Sequence, residues 1–134
     1  NAIVADELKA TDAKHVLLIV DSCFSGSLMR SASKASSNQK LDEKYIKTLQ
    51  KKKTRMVITS GGNEPVMDSD GGDHSLFAQK LIDTLRENKN VINTQMLFEN
   101  IREYVVKNAE QTPEKAVIYK AGHDGGDFLF FPKN

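Results

Sequence analysis

The apolar positions of this chain fall into short, separated runs, and the spacing within each run predicts its element. His15-Val16-Leu17-Leu18-Ile19-Val20-Asp21 is apolar without alternation and rich in β-branched residues, the pattern of a strand covered on both faces of a parallel sheet. Ser22 to Lys40 is rich in serine and small residues with no apolar period, and it reads as a mobile loop. Leu41, Tyr45, Ile46 and Leu49 then recur at helical spacing, which predicts an amphipathic helix stopping at Lys51-Lys52-Lys53. Met56 to Thr59 is a second short strand, and it ends in the reversal Ser60-Gly61-Gly62. The stretch 63–73 carries Glu64, Asp68, Asp70 and Asp73 beside Gly71-Gly72, so it is expected to be exposed. Asp73 or Ser75 is placed to cap a helix whose face is Phe77, Ala78, Leu81, Ile82 and Leu85. Thr94 opens another helix through Leu97, Ile101, Tyr104 and Val105, and Phe128 to Phe131 reads as a closing strand before Pro132.

Strands alternating with helices predict an α/β layered fold with a mostly parallel sheet. About three strands are visible, too few to cover two helical layers. Residues 1–134 are therefore expected to form one partial domain, completed by another polypeptide or by a further segment.

Composition narrows the function classes. The 134 residues carry a formal net charge of +1 with 28% charged residues, so both signs are interspersed and nothing pulls the chain towards nucleic acid or an anionic membrane. The basic run Lys51-Lys52-Lys53 with Arg55 falls at the end of a predicted helix, where cations complement the carbonyl end of the macrodipole. No apolar run approaches the roughly 18 residues that span a bilayer. A single cysteine permits no internal disulfide, which leans towards a cytoplasmic location while leaving room for a signal sequence upstream.

That cysteine is the candidate for chemistry. Cys23 stands two residues past the first strand, within Asp21-Ser22-Cys23-Phe24-Ser25-Gly26. Open α/β sheets place ligands at the carboxyl ends of their strands, so a nucleophile here is held by a rigid element yet faces the binding edge. The following Ser-Gly allows a turn tight enough to aim an amide at a substrate carbonyl. A lone cysteine is otherwise ordinarily a small buried hydrophobe.

The hexapeptide after an apolar strand resembles the cysteine motif of caspase-like peptidases, in particular metacaspases and bacterial caspase-family peptidases. Further segments resemble the same group in order: Ile58-Thr59-Ser60-Gly61-Gly62-Asn63-Glu64-Pro65, His74-Ser75-Leu76-Phe77, Gln111-Thr112-Pro113, and Ala121-Gly122-His123-Asp124-Gly125-Gly126-Asp127-Phe128. The resemblance implies a caspase-like three-layer sandwich, here without its first strands, and hydrolysis of peptide bonds through an acyl-enzyme on Cys23. It implies that Asp21 lies in the primary pocket and pairs with a substrate Lys or Arg, with Glu64 adding negative field nearby. It implies too that Ser60 and Gly61 flank an extended peptide. Processing in related enzymes separates two subunits near residues 22–40, where Arg30, Lys34 and Lys40 match the basic specificity and make self-processing candidates.

The family's general base is a histidine at the end of the preceding strand, expected roughly 50 residues before the cysteine; 22 residues precede Cys23 here. His15 begins the same strand as Cys23, roughly 26 Å away at about 3.3 Å per residue. His74 and His123 are the other histidines. The expected partners are thus a peptide or protein substrate and the N-terminal segment or subunit that supplies the base. No cofactor is expected. Some metacaspases need calcium, but Asp68, Asp70 and Asp73 fail the calcium-loop pattern, because Gly71-Gly72 falls where a ligand belongs and no glutamate follows at the required distance. The alternative to a peptidase is a caspase-like module without activity that serves as a scaffold or regulatory interaction domain.

Overall fold

A computed structural model describes residues 2–22, 29–31, 41–61 and 74–133. Its elements in chain order are α1 (Ala2–Ala10), β1 (His15–Val20), β2 (Met29–Ser31), α2 (Glu43–Gln50), β3 (Thr54–Thr59), α3 (Leu76–Glu87), β4 (Ile92–Asn93), α4 (Thr94–Asn108), β5 (Glu114–Ile118) and β6 (Leu129–Phe130). The main sheet has the order β1-β3-β5-β2. β1 and β3 run parallel, with Val20 opposite Thr59; β5 is antiparallel to β3, and β2 to β5.

Successive strand residues point to opposite faces, and the two apolar clusters follow that alternation. On one face Val57, Ala116 and Ile118 meet Ala5 of α1 and Ala121, with Leu8, Leu18, Val20 and Met29 packed around them. On the other, Ile58 meets Phe77 of α3 and Leu97, Ile101 and Val105 of α4, with Leu17 and Ile19 alongside. The result is a helix–sheet–helix sandwich. Every residue of β3 is buried, whereas every residue of β1 is only partly so. Both faces of β1 are covered, and its exposure comes from its position at the edge of the sheet.

The helix starts are set by local chemistry. Asp42 accepts from the Tyr45 amide and Asn93 from the Met96 amide, each satisfying an amide that a first helical turn leaves without a partner. Asn93 is therefore the cap of α4, and Thr94 is its first helical residue. Ser75 caps α3; Asp73 lies outside the described residues. Among the described residues no helix is long and apolar enough to cross a membrane.

Several expectations are corrected. The stretch 22–40 was expected to be loop throughout, yet Met29–Ser31 is a strand paired with β5. β5 itself went unread because Glu114 and Lys115 at its start leave an apolar run of only Ala116, Val117 and Ile118. The Phe128 to Phe131 stretch supplies β6, which pairs with β4 in a separate two-stranded sheet.

Arg55 belongs to no basic surface run. It lies in β3 and is fully buried, and its guanidinium donates to the carbonyls of Leu8 (2.8 Å), Lys14 (2.9 Å), Thr54 (2.8 Å), Ala13 (2.7 Å) and Thr11 (3.4 Å). Taking such a cation out of water costs several kcal/mol unless its donors are satisfied. Here carbonyls alone satisfy them, and the last turn of α1 is thereby fastened to the start of β1.

The backbone amide of the same residue donates to His123 Nδ1 at 3.0 Å. The β3–β5 ladder begins one residue later, at Met56, so the imidazole takes the place of a ladder carbonyl. The amides of Asp124 and Gly126 both donate to the Lys53 carbonyl. A Cβ on Gly126 would meet the Lys52 carbonyl oxygen at 2.1 Å, which explains the glycine.

This strap is acid-sensitive. Burial holds the His123 pKa below its usual 6.5; Asp127 and Asp124 oppose the shift and Arg55 adds to it. The folded state therefore takes up this proton less readily than the unfolded chain. The stabilisation is complete above pH 6.5 and is lost as pH falls from there through the folded value. Protonation at Nδ1 leaves the Arg55 amide without its acceptor, a loss of about 1–3 kcal/mol. Urea unfolding at pH 7.5 and 5.0 measures this, and the difference is expected to shrink in His123→Asn, whose amide oxygen accepts without titrating. An equal pH difference in both proteins would count against it.

Candidate functional site

Because β1 and β3 run parallel and in step, their carboxyl ends leave the sheet side by side. The Ser60 amide donates to the Val20 carbonyl at 3.0 Å, extending the ladder by one residue. Asp21 and Ser22 then depart from one strand while Ser60 and Gly61 depart from the other. Cys23 and Glu64 lie outside the described residues, as do Lys34 and Lys40. What the structure fixes is the frame from which Cys23 continues.

Asp21 is exposed, and its Oδ2 accepts from Ser75 Oγ at 2.5 Å. The same Ser75 oxygen accepts from the Ala78 amide at 3.0 Å. An amide can only donate, so the hydroxyl proton is free to point at the carboxylate. Ser75 is buried and ties the carboxyl end of β1 to the start of α3. Sequence reasoning found it as a helix cap and missed its second partner, which is 54 residues away and leaves no local pattern.

Ser60 is also fully buried, and its Oγ has no hydrogen-bond partner among the described residues. Gly61 has a φ of 74°, and a Cβ there would sit 1.9 Å from the Thr112 carbonyl oxygen. Glycine is required on both counts. The Ser60-Gly61 turn therefore packs against Gln111-Thr112-Pro113, the segment that leads into β5.

The three histidines separate by position. His15 pairs with Thr54 at the amino end of the sheet, and its Nε2 is buried without a partner among the described residues. His123 accepts from Arg55, which is level with Val16, about 13 Å along the strand from Val20 at 3.3 Å per residue. His74 alone adjoins the carboxyl end, next to Ser75, and is exposed. A hollow of about 100 Å³ lined by His15, Gln50, Asp127 and Phe128 lies at the opposite end.

Arg30 is paired through its backbone with Val117. Among the described residues the one ion pair is Lys107–Glu103 on the surface of α4, so no cation there competes for Asp21. Nor do three His, Cys, Asp or Glu side chains among them converge as a metal site.

A protein-family model described as a caspase domain matches residues 1–119. No curated protein and no solved structure matches the chain.

Proposed function

Because this chain belongs to the caspase domain family, whose members are cysteine peptidases, we propose that it carries the nucleophile of an endopeptidase cutting after Lys or Arg. The observation that carries the specificity is the Asp21 carboxylate, exposed at the carboxyl end of β1 and two residues before Cys23. One of its oxygens is engaged by Ser75. The other has no partner among the described residues, which suits a cation.

In the proposed reaction the Cys23 thiolate attacks the scissile carbonyl carbon, and the resulting oxyanion meets the Cys23 backbone amide. A histidine takes the thiol proton and returns it to the leaving amine as the C–N bond breaks. Water, deprotonated by the same imidazole, then displaces the thiolate from the acyl-enzyme. His15 and His123 stand at the wrong end of the sheet for this role. We assign the base to a segment that pairs along the edge of β1, which has no second strand neighbour among the described residues and whose partly exposed apolar residues suit an added strand.

Turnover by the full-length protein of peptides with Arg or Lys before the scissile bond, with little on peptides with Asp there, is the result expected. No turnover while Cys23 remains alkylatable would favour the scaffold reading instead.

Self-processing is proposed for the 22–40 stretch. A chain must become extended to enter a cleft. Arg30 is held in a strand, so a cut there requires β2 to come away, and Lys34 and Lys40 are the favoured positions. Mass spectrometry of the full-length protein beside its Cys23→Ala variant is expected to find cuts after Lys34 or Lys40 in the first only. Identical fragments in both would remove the claim.

A further inference from the structure

We infer that Ser75 is a positioning residue for primary specificity, holding the Asp21 carboxylate in the orientation that receives a substrate cation. This rests on the reading of Asp21 as the pocket carboxylate. A free aspartate at a strand end rotates about two side-chain bonds, and each wrong rotamer turns its charge away from the cleft. Ser75 removes that freedom because its own position is fixed twice over. It is buried, and its oxygen is held by the Ala78 amide at the first turn of α3. Its hydroxyl proton then has the Asp21 Oδ2 as acceptor, which leaves the other carboxylate oxygen for the arriving guanidinium or ammonium. α3 is in turn anchored by Phe77, which is buried against Ile58 of β3. The pocket carboxylate is thus referenced to the sheet by two routes: through its own strand, and through α3.

The consequence is a role distinct from capping. Loss of a cap lowers stability and affects every ligand alike. Loss of the orienting hydroxyl affects only ligands that use the charge.

The test measures binding of two peptides, identical except for Arg or its neutral isostere citrulline at the residue before the scissile bond, to the full-length protein carrying Cys23→Ala, which prevents cleavage. Adding Ser75→Ala is expected to lower the Arg-to-citrulline affinity ratio about 10- to 150-fold, the range of a charge-assisted hydrogen bond. Ser75→Thr, which keeps the hydroxyl, is expected to restore it. Ser75→Gly preserves most of the capping and still lacks the hydroxyl, so it serves where the alanine variant fails to fold. On an Asp21→Ala background the Ser75 substitutions are expected to add nothing to the change in ratio.

If Asp21→Ala collapses the ratio while Ser75→Ala and Ser75→Gly leave it unchanged, Ser75 is a cap alone and the inference is overturned. If the parental protein shows no preference for Arg, or Asp21→Ala leaves the ratio intact, the pocket reading fails and takes the inference with it.

Discussion

Full-length protein carrying Cys23→Ala is expected to lose about 10⁵- to 10⁶-fold in kcat for basic peptides, the scale on which nucleophile removal cripples enzymes working through a covalent intermediate. The 134-residue chain by itself is expected to show negligible turnover even with Cys23 intact. For two of the three histidines the reason is positional. A general base must come within hydrogen-bond reach of the proton it takes, and two of the three histidines are tied to the amino end of the sheet. His15 stands opposite Thr54, while His123 is committed to the Arg55 amide. Measurable hydrolysis by the isolated chain, abolished by Cys23→Ala, would sink the proposal that another segment supplies the base. His74, beside Ser75, would then be the residue to replace.

Asp21→Ala is expected to lower kcat/KM for peptides with Arg before the scissile bond about 30- to 1,000-fold relative to those with a neutral residue there, in the range measured when one member of a close charge pair is truncated. The upper part of that range requires the pair to be desolvated. Asp21 is exposed in the free protein, so the substrate itself must exclude the water. The effect is expected mainly in KM, because the charge is present equally in the ground and transition states. Unchanged reactivity of Cys23 towards iodoacetamide is the control that the thiol survives. Cleavage after aspartate, or a preference untouched by the substitution, would defeat the assignment.

Periodicity carried the elements that bury one regular face. The spacing of Leu49 with its neighbours predicted α2, Phe77 with Leu81 predicted α3, and Leu97, Ile101 and Val105 predicted α4; β1 and β3 were legible as unbroken apolar runs. What stayed hidden depends on tertiary contacts. α1 sends only Ala5 and Leu8 into the core while Ile3 is 71% exposed, so its sequence shows little amphipathic pattern. β2 is three residues long and exists through β5. Arg55 looked like the end of a basic run because nothing local announces five carbonyls converging on it. At the site, the hexapeptide around Cys23 and the position of Asp21 were readable from the sequence. The hydroxyl that orients Asp21 was not, because it arrives from a different helix.

The clasp around Arg55 has a further consequence for the order in which the molecule opens. Carbonyl oxygens do not titrate within the physiological range, so acid that protonates His123 leaves the acceptors of the guanidinium at Leu8, Thr11, Ala13 and Lys14 in place. Local opening has its own free energy in each part of a protein, and protonation of His123 lowers it at the strap. In deuterated solvent at mild acidity, amides of residues 121–126 and of Arg55 are expected to exchange early and those of β1 to keep their protection, so that the strand leading to Cys23 outlasts the strap.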